Sequence, residues 1–150
     1  MKDISFELHR GEVLGIAGLM GAGRTELLEC LFGTSQDNPS GTVTLNGQTL
    51  RPQHPAQAMK AGVALVTEDR KRLGLFSLLN VRENISMCTL SDYASKLGVV
   101  SSTGENQRVT DAIKKLTVKT DSIESSILSL SGGNQQKCVI ARWLETNPVL

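Results

Sequence analysis

A mixed α/β fold is what this sequence predicts, on three observations. A glycine-rich run, Gly18-Leu19-Met20-Gly21-Ala22-Gly23-Arg24-Thr25, lies between a short apolar stretch and a helical pattern. An Asn46-Gly47 dipeptide with strand-like flanks marks a two-residue hairpin turn. From Asn80 onward, apolar residues recur at helical spacing. The chain therefore divides near residue 78, with no obvious linker. Residues 1–78 should be mostly strands around one helix, and residues 79–150 a helical part.

Taken in order, Ile4-Ser5-Phe6-Glu7-Leu8 alternates apolar and polar residues, as an antiparallel strand solvated on one face should. After a turn at His9-Arg10-Gly11-Glu12, Val13-Leu14-Gly15-Ile16-Ala17 has the continuous apolar character of a strand buried on both faces. The helix that follows the glycine run groups Leu27, Leu28, Leu31 and Phe32 on one face, with Gly33 as its stop. Thr42-Val43-Thr44-Leu45 and Gln48-Thr49-Leu50 form the hairpin arms. A short helix is entered through Pro55, and Val63-Ala64-Leu65-Val66-Thr67 reads as a second buried-type strand running into the charged stretch 68–72. Helices are expected over residues 81–90, over 105–116 after a polar gap at Ser101-Ser102-Thr103-Gly104, and over 135–145. Val109, Ala112, Ile113 and Leu116 line one face of the second. Cys138, Ile140, Ala141, Trp143 and Leu144 are the apolar members of the third.

The order strand, glycine loop, helix has a chemical meaning. Glycines let consecutive backbone N–H groups turn inward on an anion, and the helix presents its positive end to the same charge. In the standard phosphate loop a lysine reaches the β- and γ-phosphates and the next Ser or Thr joins the Mg²⁺ shell. Thr25 satisfies the second requirement. Arg24 keeps the charge, but its planar guanidinium is longer and bulkier than an ammonium and does not fit the same tight cradle. Nucleotide binding survives such a change more readily than hydrolysis does. A glycine-rich strand-to-helix turn with no ligand is the plain alternative.

Leu130-Ser131-Gly132-Gly133-Asn134-Gln135-Gln136-Lys137 opens another helix with a serine and two glycines, a second arrangement suited to a phosphate. Taken alone, it is also what an ordinary helix cap looks like.

Together the two clusters resemble the nucleotide-binding domain of ABC transporters. GLMGAGRTEL, VTEDRKRLGL and LSLSGGNQQK are similar to the second, C-terminal ATPase cassette of the proteins that power bacterial importers of monosaccharides such as ribose, galactose and arabinose. The resemblance covers essentially the whole chain, and the arginine in the loop is typical of that cassette. It implies a P-loop NTPase fold of the ABC ATPase type, incomplete, with an antiparallel β portion and a helical subdomain. It further implies that Gly18, Gly21, Ala22, Gly23, Arg24, Thr25 and Glu26 bind ATP, with Thr25 and Glu68 at the Mg²⁺. Ser131, Gly132, Gly133 and Gln135 would meet the nucleotide held by an opposite cassette. Glu68 falls at the Q-loop position, where most cassettes have a glutamine near Mg²⁺ and the attacking water; an ionised carboxylate there accepts but cannot donate a hydrogen bond. Without the resemblance, Glu68 is a solvated member of its charged run.

Implied partners are a second ATPase cassette and a membrane permease subunit, the latter touching residues 73–84 of the helical part. The alternative for that part is a helix pair serving its own core. The implied location is peripheral, at the cytoplasmic face of the bacterial inner membrane.

Departures from the family pattern set further expectations. The Walker B strand, with its Mg²⁺-supporting aspartate and polarising glutamate, would begin at Val149-Leu150, and neither carboxylate is present. The D-loop and switch histidine would lie further on; His9 and His54 are expected at the surface. No aromatic residue precedes Phe6 to stack on adenine. The family topology puts the Walker B strand and its successor between the phosphate-loop strand and the one ending at Glu68. The two retained strands should therefore expose unpaired backbone groups, leaving an isolated monomer marginally stable and with negligible ATP turnover. A non-catalytic nucleotide-binding or interaction fragment is the alternative function.

Composition narrows the classes. At 39% hydrophobic and 21% charged residues with a net charge of +1, the chain has neither the basic excess of a nucleic-acid binder nor a membrane-surface charge pattern. Cys30, Cys88 and Cys138 are widely spaced in apolar or helical contexts, as reduced buried thiols are, rather than as a disulfide frame or metal site. No secretory signal is visible, and no apolar run approaches the ~20 residues of a membrane-spanning helix.

Overall fold

The computed structural model describes residues 3–35, 39–95 and 98–150. The chain forms two compact units, Met1–Ala61 and Gly62–Leu150, so the division expected near residue 78 falls inside the second.

In the first unit, helix α1 (Arg24–Phe32) follows the glycine run, then strands β1 (Thr44–Leu45) and β2 (Gln48–Thr49), then helix α2 (Pro55–Lys60). Gly33 ends α1 in the left-handed region at φ 76°, where its N–H bonds back to the last turn. A Cβ there would stand 2.9 Å from the Pro52 carbonyl oxygen, so glycine serves both the turn and the close approach of the chain entering α2. The hairpin forms as expected: Thr44 faces Thr49 and Leu45 faces Gln48. Asn46 and Gly47 both have positive φ, at 51° and 76°, as a type I′ turn requires. Pro55 opens α2, and His54, exposed, caps it by accepting the Ala56 N–H on Nδ1 at 3.2 Å.

The strands expected over residues 4–8 and 13–17 do not form. Ile4, Phe6, Leu8, Leu14 and Ile16 are exposed, and Val13 is 95% exposed. A strand is a pairing, and no neighbouring strand among the described residues takes up their N–H and C=O groups. Of the two segments expected to expose unpaired backbone, residues 13–17 and 63–67, the first is thus open among the described residues. The apolar face assigned to α1 is also largely unburied: of Leu27, Leu28, Leu31 and Phe32, Phe32 alone is buried, for the same want of a sheet beneath it.

The second unit is helical. Residues 63–67 form no strand, but their first part lies beside the end of the chain: Val149 donates to the Gly62 carbonyl at 2.7 Å and Ala64 to the Leu150 carbonyl at 2.8 Å. The charged stretch closes into a tight π-helical turn, Arg70–Gly74, capped by Asp69, whose Oδ1 accepts the N–H groups of Lys71 and Arg72. Helix α3 (Val81–Ser86) begins with a capping box in which Asn80 and Glu83 satisfy each other's backbone N–H. It is shorter than expected, because the chain tightens into a 3₁₀ turn at Met87–Thr89 before helix α4 (Leu90–Tyr93). Helix α5 (Ser102–Leu116) starts inside the expected polar gap, and helix α6 (Gly132–Leu144) starts at the first glycine of its cluster. Val81 and Ile85 of α3, Val109 and Ala112 of α5, and Cys138 and Ala141 of α6 meet in one core, closed by Val118, Ile127 and Leu130.

Candidate functional site

Two helix starts carry the expected ligand-binding residues, one in each unit. In the first, Gly21 and Gly23 take positive φ values of 80° and 85°, and Ala22 closes a turn by donating to the Leu19 carbonyl at 3.1 Å. These glycines bend the loop so that α1 begins with the N–H groups of Arg24, Thr25 and Glu26 unpartnered among the described residues. Gly18 packs over the Arg24 stem: a Cβ on Gly18 would lie 3.6 Å from Arg24 Cδ and 3.0 Å from Ala22 Cβ. The side chain standing where a lysine is usual therefore folds back under its own loop. Thr25 and Glu26 are exposed. Backbone donors, a positive helix end, a hydroxyl and one cation form a donor set that fits a phosphate chain. No group of three or more His, Cys, Asp or Glu side chains able to hold a metal occurs among the described residues.

In the second unit, Ser131 and Gly133 lie exposed at the start of α6 and Gly132 is half-buried. Ser131 Oγ accepts from Asn134 Nδ2 at 3.0 Å and does not cap its own helix, leaving the amides of Gly132, Gly133 and Asn134 open. Gln135 turns inward instead. Its buried amide donates to the carbonyls of Ile127 and Leu130 at 3.3 and 3.1 Å, which fixes the loop leading into the helix. Glu68 is exposed at a bend two residues before Arg70.

Within the second unit, a polar framework that the apolar pattern did not announce ties α3 to α6 and to α5. Arg142 of α6, 5% exposed, donates to the Asn84 and Gly74 carbonyls and to Asn84 Oδ1, with its guanidinium 5.0 Å above the Phe76 ring. Burial pulls its pKa down, and the nearby Cys88 and Cys138 thiols partly oppose that. Burial pushes the Cys138 thiol up to about 11 and raises Cys88 as well. Glu105, 2% exposed, accepts from Arg82 at 2.8 Å and from Ser86 at 2.6 Å. Arg82 also holds Glu124, whose hydrogen bond is the main cause of the raised Arg82 pKa. The signal available in the sequence was Arg142 one turn after Cys138 and two after Gln135, on the face that faces the core.

A groove of about 330 Å³ beside this framework is lined by Leu79, Arg82, Ser86, Met87, Leu90 and Glu105, among others. Near it in sequence, Leu73 and Leu78 are 70% and 98% exposed, whereas Asn84 is fully buried.

Comparison with known proteins gives one family and a consistent set of relatives. The ABC transporter family matches residues 1–150. A putative ribose/galactose/methyl galactoside import ATP-binding protein of Pseudomonas syringae pv. syringae is 52% identical over 98% of this chain and 28% of its own length. The xylose import ATP-binding protein XylG of Photobacterium profundum is 48% identical over 99% of this chain and 29% of its own. The ribose import ATP-binding protein RbsA of Clostridium tetani is 43% identical over 99% and 29%. The chain spans less than a third of the length of these relatives.

Proposed function

We propose, from the premise that this chain belongs to the ABC transporter family and carries its ATPase fold in incomplete form, that it is part of the ATP-binding subunit of a bacterial sugar importer. The observation that carries this reading is the pair of helix starts, at Arg24 after a glycine turn and at Gly132 on two successive glycines, each with open backbone donors. In that role Gly18, Gly21, Gly23, Arg24, Thr25 and Glu26 hold the phosphates of MgATP and Thr25 faces the Mg²⁺. Ala22 shapes the loop through its turn to Leu19. Ser131, Gly132 and Gly133 face the nucleotide of a second cassette, and Gln135 keeps their loop in place. Bound MgATP supplies the anion that draws two such surfaces together. The names of the relatives support sugar import, and they differ among themselves in which sugar.

Glu68 would sense the Mg²⁺ from the Q-loop position as an acceptor. The exposed Leu73, Phe76 and Leu78 would meet the permease subunit, while the buried Asn84 supports that segment from inside. The protein would then be peripheral at the cytoplasmic face of the inner membrane; no helix of the described residues is long and apolar enough to cross one.

Titration of the chain with fluorescent ATP in Mg²⁺ tests the reading. Saturable binding that Gly23→Val abolishes is expected, since a β-branched side chain at φ 85° is strained and would force the loop out of this conformation. No saturable binding at millimolar nucleotide would refute it. Phosphate release by this chain should not exceed that of Thr25→Ala, because Arg24, at the position of the usual lysine, folds back under its own loop and its planar guanidinium does not fit the lysine's cradle.

A further inference from the structure

Gly132 and Gly133 stand side by side at the start of α6, yet their surroundings differ completely. A Cβ on Gly133 would meet nothing within 4 Å, whereas a Cβ on Gly132 would meet Nη2 of Arg70 at 2.5 Å. The guanidinium of Arg70 therefore rests directly on the Gly132 α-carbon. Its stem lies beside Gly74, where an added Cβ would stand 3.3 Å from Arg70 Cβ and 3.4 Å from Val139 Cγ2 of α6.

This is an adverse place for a cation. The N-terminal end of a 13-residue helix is its positive pole, and positive side chains are favoured at the opposite end. Asp69, the adjacent carboxylate, is engaged with the Lys71 and Arg72 amides, and Arg70 makes no hydrogen bond or ion pair among the described residues. Its Nε is sealed from water with no acceptor, as is the hydroxyl of Thr67 just before it. A guanidinium set against a positive helix end, with no ion pair among the described residues, calls for an anion that both can share.

We infer that Arg70 is a phosphate-binding residue, acting with the Ser131-Gly132-Gly133 amides on the terminal phosphate of a nucleoside triphosphate presented by a second cassette. This rests on the function proposed above and adds to it a residue from the segment that also carries Glu68. The two glycines then have separate tasks: Gly132 gives Arg70 room, and Gly133 leaves the approach open to the phosphate.

The test is ¹H–¹⁵N NMR of the chain titrated with inorganic tripolyphosphate at constant ionic strength, following the Gly133 and Asn134 amides and Arg70 Nε–H. These resonances should move together on one isotherm. Arg70→Gln should weaken that isotherm fivefold or more, and Arg70→Lys by less. Gly132→Ala, which displaces the guanidinium without removing its charge, should weaken it as well and serves if Arg70→Gln disturbs the fold. An unchanged Gly133 isotherm in both Arg70→Gln and Gly132→Ala would overturn the assignment of Arg70 and leave the proposed function standing. Shifts at Gly21, Gly23 and Thr25 with none at Gly133 would also overturn it. No shift at either helix start at 10-fold excess over a millimolar range would overturn both.

Discussion

Arg142 of α6 grips Asn84 of α3 twice, donating from Nε to its main-chain carbonyl at 2.6 Å and from Nη2 to its Oδ1 at 3.0 Å. Its third bond, from Nη1, reaches the Gly74 carbonyl at 2.9 Å. Asn84 in turn donates from Nδ2 to the carbonyls of Phe76, Leu79 and Asn80, and accepts the Phe76 N–H. One guanidinium and one carboxamide thereby pin the connection between the π-helical turn and α3 at Gly74, Phe76, Leu79 and Asn80. They tie it to the helix that opens with Ser131.

Arg142→Lys should lower stability by about 2 kcal/mol and Arg142→Ala by about 4 kcal/mol, since each buried acceptor left without a donor costs about 1–3 kcal/mol and an ammonium cannot reproduce the planar fork. Urea unfolding followed by helical circular dichroism checks this. An alanine variant within about 0.5 kcal/mol of the parent, the range of ordinary surface substitutions, would show that the brace carries no stability.

The Arg82–Glu105 pair should respond asymmetrically. Arg82 is partly exposed and keeps Glu124 as a partner, so Glu105→Gln removes one charge and leaves no buried ion alone. Arg82→Ala strands the Glu105 carboxylate with Ser86 as its remaining donor. Removing one partner of a buried pair costs about 3–5 kcal/mol. Arg82→Ala is therefore expected to destabilise by at least about 2 kcal/mol more than Glu105→Gln; equal losses in urea unfolding would contradict that.

Much of the local structure was legible because its causes are local. Gly33, Asn46-Gly47 and Pro55 each set a backbone angle by covalent geometry, and each marks an observed boundary. Both glycine-opened helix starts were legible in the same way. Residues 13–17 were not, because a buried strand needs neighbours far along a chain, and their apolar run reports what they would pair with rather than what they do here. In α6 the apolar pattern included Leu144, which is 40% exposed, and passed over Arg142, which is buried. Residue type misled there: a long cation reaches a satisfied interior position only when carbonyls from two distant segments converge on it, and one-dimensional periodicity does not encode that.

Cys138 links stability to alkaline pH. The thiol's ordinary value is 9.0 and burial raises it to about 11 in the folded chain. Between these values the folded state holds a proton that the unfolded state has released. The contribution is therefore complete below pH 9 and is lost as pH rises through about 11. Cys88, also raised by burial, acts in the same direction. Urea unfolding should show stability falling by about 2 kcal/mol across that window, and Cys138→Ala should flatten the fall. A pH-independent midpoint in the parent would contradict the assignment.

Backbone protection should divide the chain more sharply than its helix content suggests. Residues 13–17 have no strand partner among the described residues, and their side chains lie open to water with Val13 at 95%. Cys138, Val139 and Ala141 lie on a helix whose core face is sealed against α3 and α5. Amides open to solvent exchange at rates close to those of an unfolded chain, whereas those of a packed helix exchange only through larger opening. Native-state hydrogen exchange on the isolated chain is thus expected to complete at residues 13–17 within the first time points, while Val139 and Ala141 persist at least about 100-fold longer, the factor that corresponds to about 2.7 kcal/mol of local stability. Protection at Val13 and Ile16 comparable to that of Val139 would mean that those residues pair as a strand in solution. The chain would then complete a sheet with another molecule, which sedimentation at two concentrations would reveal as self-association.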